Sequence, residues 1–382
     1  MSPSSLQNAW GQTPWQIDFT PAHQPLPNRV DFAIIGAGFT GLAAAAWLRL
    51  HAPEKSVVVL EAGQIGAGAS GRTGGMVLAE SAAGDLPGLG DVLAGLTRIL
   101  DDLGRACGIS LAEICELALP GAWEIARKGG LAESPISWND SGTLRVVNEV
   151  PGGILNPGKM VEGLARAAEQ LGAVIIERAR VERVDWGADA ELTFAGGKLR
   201  AGKVLFATNG LSLDLSELKD RTHPRLTLAA STAPVPEEQI EAIGLSQRKP
   251  FYTVDFPYLW GRVCRDNSIV WGAGLVSAEG SGSVEQIDIA AEESSGMFAS
   301  LERRIRQLRP GLEKLNFTHR WGGPILFRDG WEPVFDRHPA SESGIVLGAF
   351  AGHGVALSVY LGAWAAEIML GRRSLPEWGK II

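Results

Sequence analysis

The chain has 382 residues, 45% of them apolar and 20% charged, with a net charge of −8. That supports a sizeable buried core and excludes a disordered or fibrous polypeptide. The acidic balance, without a long basic run, argues against nucleic acid or an anionic membrane surface as the main partner. The three cysteines, Cys107, Cys115 and Cys264, lack CxxC spacing, so neither a zinc site nor a disulfide framework is expected. No basic patch with an apolar run after it opens the chain, so the default is a soluble cytoplasmic protein without a secretory signal. Glycine is abundant, 48 of 382 residues, nearly twice the ~7% of average proteins, which calls for many tight turns or close backbone approaches.

Residues 1–28 are polar, with several prolines, Trp10 and Trp15, and read as an arm lying over the body. From Val30 the pattern changes: an apolar strand over 30–35, an alanine-rich helix over 39–50 and a β-branched strand over 56–60 open a parallel βαβ unit. Between the first strand and the helix stands Gly36-Ala37-Gly38-Phe39-Thr40-Gly41, a GxGxxG. Its first glycine permits the tight turn, the second lets backbone approach a pyrophosphate, and the third packs helix on strand. The helix N-terminus offers free N–H groups to the phosphates. Glu61, at the end of the second strand and twenty residues past Gly41, suits ribose hydroxyls and repels a 2′-phosphate. Motif and spacing alone do not distinguish a nicotinamide from a flavin dinucleotide.

A helix is expected over 91–106, and the stretch up to about Asn148 reads as mixed helix and loop. Asn156-Pro157 reads as a helix cap followed by proline at the first helical position, with Met160, Val161, Leu164, Ala165, Ala168 and Leu171 on one face. Short strands are expected at 174–176, 180–184, 191–194 and 203–207. From Leu226 the texture turns to longer strands, with Asp266-Asn267 turning a strand over 258–264 back into one over 268–275. A helix follows with Met297, Leu301, Ile305 and Leu308 on one stripe. Residues 343–366 carry no charge and are long enough to span a bilayer. Their five glycines point instead to a buried strand (345–347), a tight loop (348–354) and a buried helix to about Leu370, ended by Gly371 with Arg372 and Arg373 near its negative end. There is no internal repeat. Cofactor-type pattern at both ends with a β-rich insert between implies a first domain that is discontinuous in sequence.

One further segment carries a family resemblance. Ala67-Gly68-Ala69-Ser70-Gly71-Arg72-Thr73-Gly74-Gly75 resembles the GASGRNGG stretch of FAD-dependent oxidoreductases of the D-amino-acid oxidase, glycine oxidase and sarcosine oxidase family, closest to the gamma-glutamylputrescine oxidase branch. Three blocks agree in order: Ile154-Leu155-Asn156-Pro157-Gly158-Lys159, Phe206-Ala207-Thr208-Asn209-Gly210, and Gly352-His353-Gly354. The resemblance implies an α/β plus α+β fold, in which a Rossmann-like FAD-binding domain (29–90, 150–225 and 321–382) carries a β-rich substrate domain (91–149 and 226–320). It implies cofactor contacts from Gly36, Gly38, Phe39, Thr40, Gly41, Glu61 and Ala62, and from Ser70, Arg72, Thr73, Gly75 and Met76. Further contacts follow at Val181, Thr208, Asn209, Gly210 and Gly323, and at Gly352, His353, Gly354, Val355 and Ala356. The last loop would aim a helix N-terminus at the pyrimidine end of the flavin, where reduction places negative charge.

The sequence also departs from the family. Aligning Asp336-Arg337-His338-Pro339 puts Gly323 where sarcosine oxidases tether their flavin through cysteine, so non-covalent FAD is expected. Ala356 stands where those enzymes carry a lysine that helps oxygen react, so oxygen or another electron acceptor is left open. No arginine stands in Trp321-Gly322-Gly323-Pro324-Ile325 to clamp a substrate carboxylate, leaving Arg262, Arg328 or another group to do so. Tyr252, Tyr258, Trp260 and Trp321 are candidate pocket walls, with His353, Trp321, Tyr258 and Arg262 the candidate catalytic set, and no metal is expected. The leading expectation is oxidation of the C–N bond of a small amine or amino acid to an imine by hydride transfer to flavin N5. A non-catalytic flavin-binding subunit and an NAD-dependent dehydrogenase are the alternatives.

Overall fold

The computed structural model describes residues 9–126, 137–139, 143–254, 258–277, 283–308 and 311–381. The βαβ opening is strand β1 (Arg29–Ile35), helix α1 (Phe39–His51) and strand β2 (Val57–Leu60), with β1 and β2 parallel. All four β2 residues are buried, as a strand covered on both faces requires. After β3 (Met76–Leu78) comes α2 (Val92–Cys107), capped by Asp91, whose side chain accepts from Ala94 N. Strands β4 (Ala122–Ala126), β5 (Ser137–Asn139), β6 (Thr143–Val150) and β7 (Gly152–Ile154) lead to α3 (Pro157–Gln170). Asn156 caps α3 by accepting from Lys159 N, with proline in its first turn.

Strands β8 (Val174–Ile176), β9 (Val181–Asp185), β10 (Ala190–Phe194) and β11 (Gly197–Phe206) follow. Next come β12 (His223–Thr232), β13 (Phe251–Thr253), β14 (Trp260–Val263) and β15 (Ile269–Val276), then α4 (Glu292–Leu308). The chain closes with β16 (Phe317–Phe327), β17 (Val334–His338), β18 (Ser341–Gly348) and α5 (Gly354–Met369).

One sheet has the order β17-β18-β11-β1-β2-β8, with β10 also on β11 and β9 on β10. Its central strands β18, β11, β1, β2 and β8 pair in parallel. A second sheet runs β16-β12-β15-β14-β13-β4-β6-β5, and β3 pairs with β7 apart from both. Helices α1 and α5 pack on each other over the first sheet, and Ala43, Ala44, Ala45 and Ala46 of α1 are wholly buried. A Cβ on Gly362 would stand 2.5 Å from Thr40 O, so that crossing admits no larger residue. Among the described residues no helix is long and apolar enough to cross a membrane. The uncharged stretch is β18, a loop and α5, closed at Gly371 with φ +73°.

Two expectations are corrected. The stretch before Asn148 is not helix and loop alone: a short helix stands at Leu111–Ile114, but β4, β5 and β6 extend the second sheet there. β4 pairs antiparallel with β6 on one side and parallel with β13 on the other, and β13 lies so far along the chain that local periodicity could not reveal that side. The last short strand, expected over 203–207, is the longer β11, because residues 197–201 pair with β10 as a hairpin before reaching β1. The Asp266-Asn267 hairpin forms between β14 and β15, with Asn267 at φ +68°.

His338 makes the fold pH-sensitive. Its Nδ1 accepts from Ala340 N at 3.1 Å while its Nε2 meets Leu215 O at 3.2 Å, so the neutral Nε2–H tautomer fills both positions. The ring stacks on Phe206 at 4.9 Å and is 5% exposed. Burial holds its pKa below the usual 6.5. The unfolded chain therefore binds more protons as pH drops below that value, and this contribution to stability is lost on acidification. Wild-type Tm should fall from about pH 6.5 toward about pH 5, and more steeply than that of His338→Gln.

Candidate functional site

The N-terminus of α1 is a bare anion cradle. Gly38 caps it with no side-chain bond, and Gly36 holds φ +105°, a conformation only glycine adopts easily. A Cβ on Gly36 would meet Ala207 O at 2.8 Å, and one on Gly38 would meet Ser70 Oγ at 2.7 Å. Ser70 Oγ accepts from Phe39 N at 2.9 Å, leaving its O–H to donate outward. At the end of β2, Glu61 accepts from Ala37 N and Gly63 N, each at 2.8 Å. Burial pushes its carboxyl up, against the pull of those two N–H groups. On the far side, Asn209 Oδ1 accepts from Ala349 N at 3.0 Å and ties the end of β11 to the loop after β18. That loop delivers the N-terminus of α5, again with no side-chain cap.

These elements surround one cavity of about 1010 Å³, at the upper end of ligand sites and so roomy for a dinucleotide with a small molecule beside it. Gly36, Gly38, Phe39, Thr40, Glu61, Ala62, Ser70, Arg72, Thr73 and Met76 line it, as do Val181, Thr208, Asn209, Gly210 and Gly323 and the loop from Gly352 to Val355. Tyr252, Tyr258, Trp260 and Trp321 form another part of the wall. The second sheet supplies that part as a cross-strand row: Trp321 opposite Ala229, Ala229 opposite Gly272, Gly272 opposite Trp260, Trp260 opposite Tyr252, and Tyr252 opposite Glu124. Trp321 Nε1 donates to Arg72 O at 2.8 Å, fixing one end of the row to the loop beside the cradle.

The chain matches the family described as FAD dependent oxidoreductase over residues 31–368. It belongs to that family. Among curated proteins it is 25% identical to the probable oxidoreductase OrdL of Rhizobium meliloti, over 91% of this chain and 85% of that one. It is also 25% identical to gamma-glutamylputrescine oxidoreductase of Escherichia coli, over 89% of this chain and 84% of that one. Among solved structures, glycine oxidase from Geobacillus kaustophilus superposes with a TM-score of 0.68 at 18% identity, covering 93% of this chain and 99% of that one; this likeness concerns the fold.

The residues of this FAD-dependent oxidoreductase fit its cofactor. Two bare helix N-termini face one cavity, and two buried polar atoms on its lining, His353 Nδ1 and Ser358 Oγ, have no hydrogen-bond partner among the described residues. Ser358 is 5% exposed, so without a ligand its hydroxyl would forfeit a hydrogen bond. Burial lowers the His353 pKa, which keeps the imidazole neutral at neutral pH. None of the three cysteines lines the cavity, so no thiol is positioned to tether a flavin.

Several candidates lie elsewhere. Gly41, Gly75 and Ala356 do not line the cavity. Gly41 lets α1 pass Gly36 O, Gly75 (φ +74°) lets the loop pass Leu155 O, and Ala356 is buried inside α5. Arg262 is no anion anchor: its Nε donates to Gly74 O, and its guanidinium lies 5.1 Å from the Trp15 ring centroid, outside the cavity lining. Arg328 is committed to Lys380 O, Trp378 O and Glu332. Arg72 lines the cavity, yet its guanidinium donates to Trp10 O, Gly11 O and Gly322 O at 3.0–3.1 Å, and Nε to Ala67 O. Its role is to bind the N-terminal arm. Trp15 completes that seam, donating to Thr73 O at 3.0 Å and meeting Trp321 edge-on at 6.3 Å.

The sequence reading did not single out Glu80, Glu124 or Ser358, which all line the cavity. Ser358 was within reach, one turn past the Gly-His-Gly on the same helix face as Gly354 and Val355. Gly272 is a further hidden determinant. A Cβ there would stand 2.0 Å from the Trp260 ring. Gly272→Ala should drive that ring out of the row, costing about 1–3 kcal/mol, seen as a lower Tm together with an altered visible flavin band.

Proposed function

We propose that this FAD-dependent oxidoreductase oxidises the C–N bond of a small amine or amino acid to an imine, which water then hydrolyses. The single observation that carries this reading is the joining of two chemistries in one cavity: the dinucleotide cradle of the first sheet and the aromatic row of the second. Bound FAD supplies the hydride acceptor, at flavin N5. Gly36, Gly38, Ser70 and Glu61 would hold the pyrophosphate and ribose, Thr208 to Gly210 the nucleotide side, and the N-terminus of α5 the pyrimidine end. There the helix dipole offsets developing negative charge without a side chain. Trp260, Tyr252 and Trp321 would exclude water and orient the C–H bond. The curated relative named for gamma-glutamylputrescine supports an amine as the donor.

The proposed division into a cofactor domain and a substrate domain goes with this reading, with one boundary moved to follow Phe327, since β16 pairs with β12 along its length. The acceptor that reoxidises the flavin is oxygen or another oxidant. No lysine lines the cavity among the described residues, and Ala356 supplies no cation. Reoxidation by air should therefore be slower than by an added quinone.

The test is to purify the yellow protein and add amines and amino acids without oxygen. Bleaching of the flavin by one class supports the reading, and a flavin that no amine bleaches favours the non-catalytic alternative.

A further inference from the structure

Resting on that reading, we infer that the substrate carries a second amino group, bound as its protonated ammonium between Glu80 and Glu124 at the end of the cavity remote from the Trp321–Arg72 contact. The cross-strand row supplies the geometry. From Trp260, whose ring stands over Gly74 in the cofactor loop, the row passes through Tyr252 to Glu124. Two strand spacings separate Trp260 from Glu124, about 10 Å at the ~4.8 Å of paired strands, before side chains reach inward. A chain of a few methylenes joining two nitrogens matches that span.

Glu124 is fixed as an acceptor. Tyr252 Oη donates to its Oε1 at 2.8 Å and Asn148 Nδ2 to its Oε2 at 3.1 Å. The phenol stays protonated, because burial and then Glu124 push its pKa upward. Glu80 faces the same end without a hydrogen bond or ion pair to any described residue. Burial, Glu124 and Asp85 together raise its pKa, as for a carboxylate awaiting a cation. The rings of Tyr252 and Trp260 line the same cavity, and aromatic faces favour a cation over an anion. The unpartnered, buried hydroxyl of Ser358 lines the same cavity, on the helix that packs against β3, the strand leading into Glu80.

Three arginines, Arg72, Arg180 and Arg304, line the cavity among the described residues; Arg72 is bound to backbone carbonyls and Arg180 to Glu285. Arg262 and Arg328 face elsewhere. Arg304 lines the cavity at its Tyr258 side, where its Nη1 donates to Tyr258 O at 3.2 Å, and Tyr258 is 41% exposed.

The experiment compares 1-aminobutane, 1,4-diaminobutane and 4-aminobutanoate as anaerobic reductants of the flavin in the intact holoenzyme. The diamine should exceed the monoamine at least about tenfold in kcat/KM, mainly through KM, as one charge-assisted contact provides. The amino acid should be poorest. Glu80→Gln and Glu124→Gln, checked for an unchanged flavin spectrum, should each lower the diamine-to-monoamine ratio about tenfold. In the wild-type protein, butyltrimethylammonium, which has no nitrogen lone pair, should perturb the flavin band and compete with the diamine where pentanoate does not. A ratio near one, a ratio unmoved by both variants, or competition by pentanoate overturns the inference while leaving amine oxidation standing. If no amine bleaches the flavin, the reading of the reaction itself fails and the inference falls with it.

Discussion

Gly41→Ala should give a protein that loses its flavin on purification and melts far below wild type. The new Cβ would stand 1.9 Å from Gly36 O and 3.1 Å from Ile34 Cγ2, against backbone that cannot rotate aside. Relief requires α1 to lift from β1, which opens the turn carrying the pyrophosphate cradle. Overpacking of this kind costs about 1–3 kcal/mol and occasionally more, and loss of cradle geometry should weaken FAD at least ~100-fold. Denaturant midpoints of apo and holo protein, with FAD titration, check both parts. Gly296→Ala is the matched control. No atom lies within 4 Å of that Cβ, and in an exposed helical position alanine should stabilise by about 0.5–1 kcal/mol. Retention of tight FAD by the Gly41 variant would refute the packing role assigned to that glycine.

The second large effect is expected at Arg72. The side chain is 7% exposed and donates only to backbone carbonyls, with no carboxylate beside it; burial brings its pKa down to about 10. Arg72→Met keeps bulk but removes the guanidinium donor from Gly11 O and Gly322 O, and one of the two donors from Trp10 O. Unsatisfied buried groups cost about 1–3 kcal/mol each, so roughly 3 kcal/mol in total is expected, seen in the denaturant midpoint. The arm should also come away, so limited proteolysis should cut within residues 9–28 faster than in wild type. Arg72→Lys should recover only part of the loss, since one ammonium cannot span all these acceptors. An uncleaved arm and an unchanged midpoint would exclude the role given to Arg72.

What the sequence disclosed followed the range of the forces involved. The turn at Gly36–Gly41, the Asn156 cap and the Asp266-Asn267 hairpin are set within a few residues, and each forms where local chemistry places it. Of the two neighbours of β4, β6 follows within the same stretch, but β13 arrives over a hundred residues later, beyond the reach of local periodicity. Glu124 was hidden with it, since its bond from Tyr252 spans 128 positions. Arg262 illustrates a different limit. It shares a strand face with Trp260, two positions away, so residue type and alternation assign both to the pocket. Only the three-dimensional placement of Gly74 and Trp15 sends the guanidinium beneath the loop instead. Arg72 was drawn to the cofactor by its motif, while its hydrogen bonds go to the arm.

The seam formed by Trp10, Trp15, Arg72 and Gly322 also sets the order of assembly. Trp10 O accepts from both Gly322 N and Arg72 Nη1, so the arm has no stable seat until β16 exists. Strand β18 and helix α5, which complete the first sheet and the wall opposite the cradle, come later still. A nascent chain that stops short of β16 therefore holds an arm with nowhere to dock and half a nucleotide site, because the pairings that finish both come late in the sequence. Flavin capture is thereby deferred until β18 and α5 have joined the first sheet.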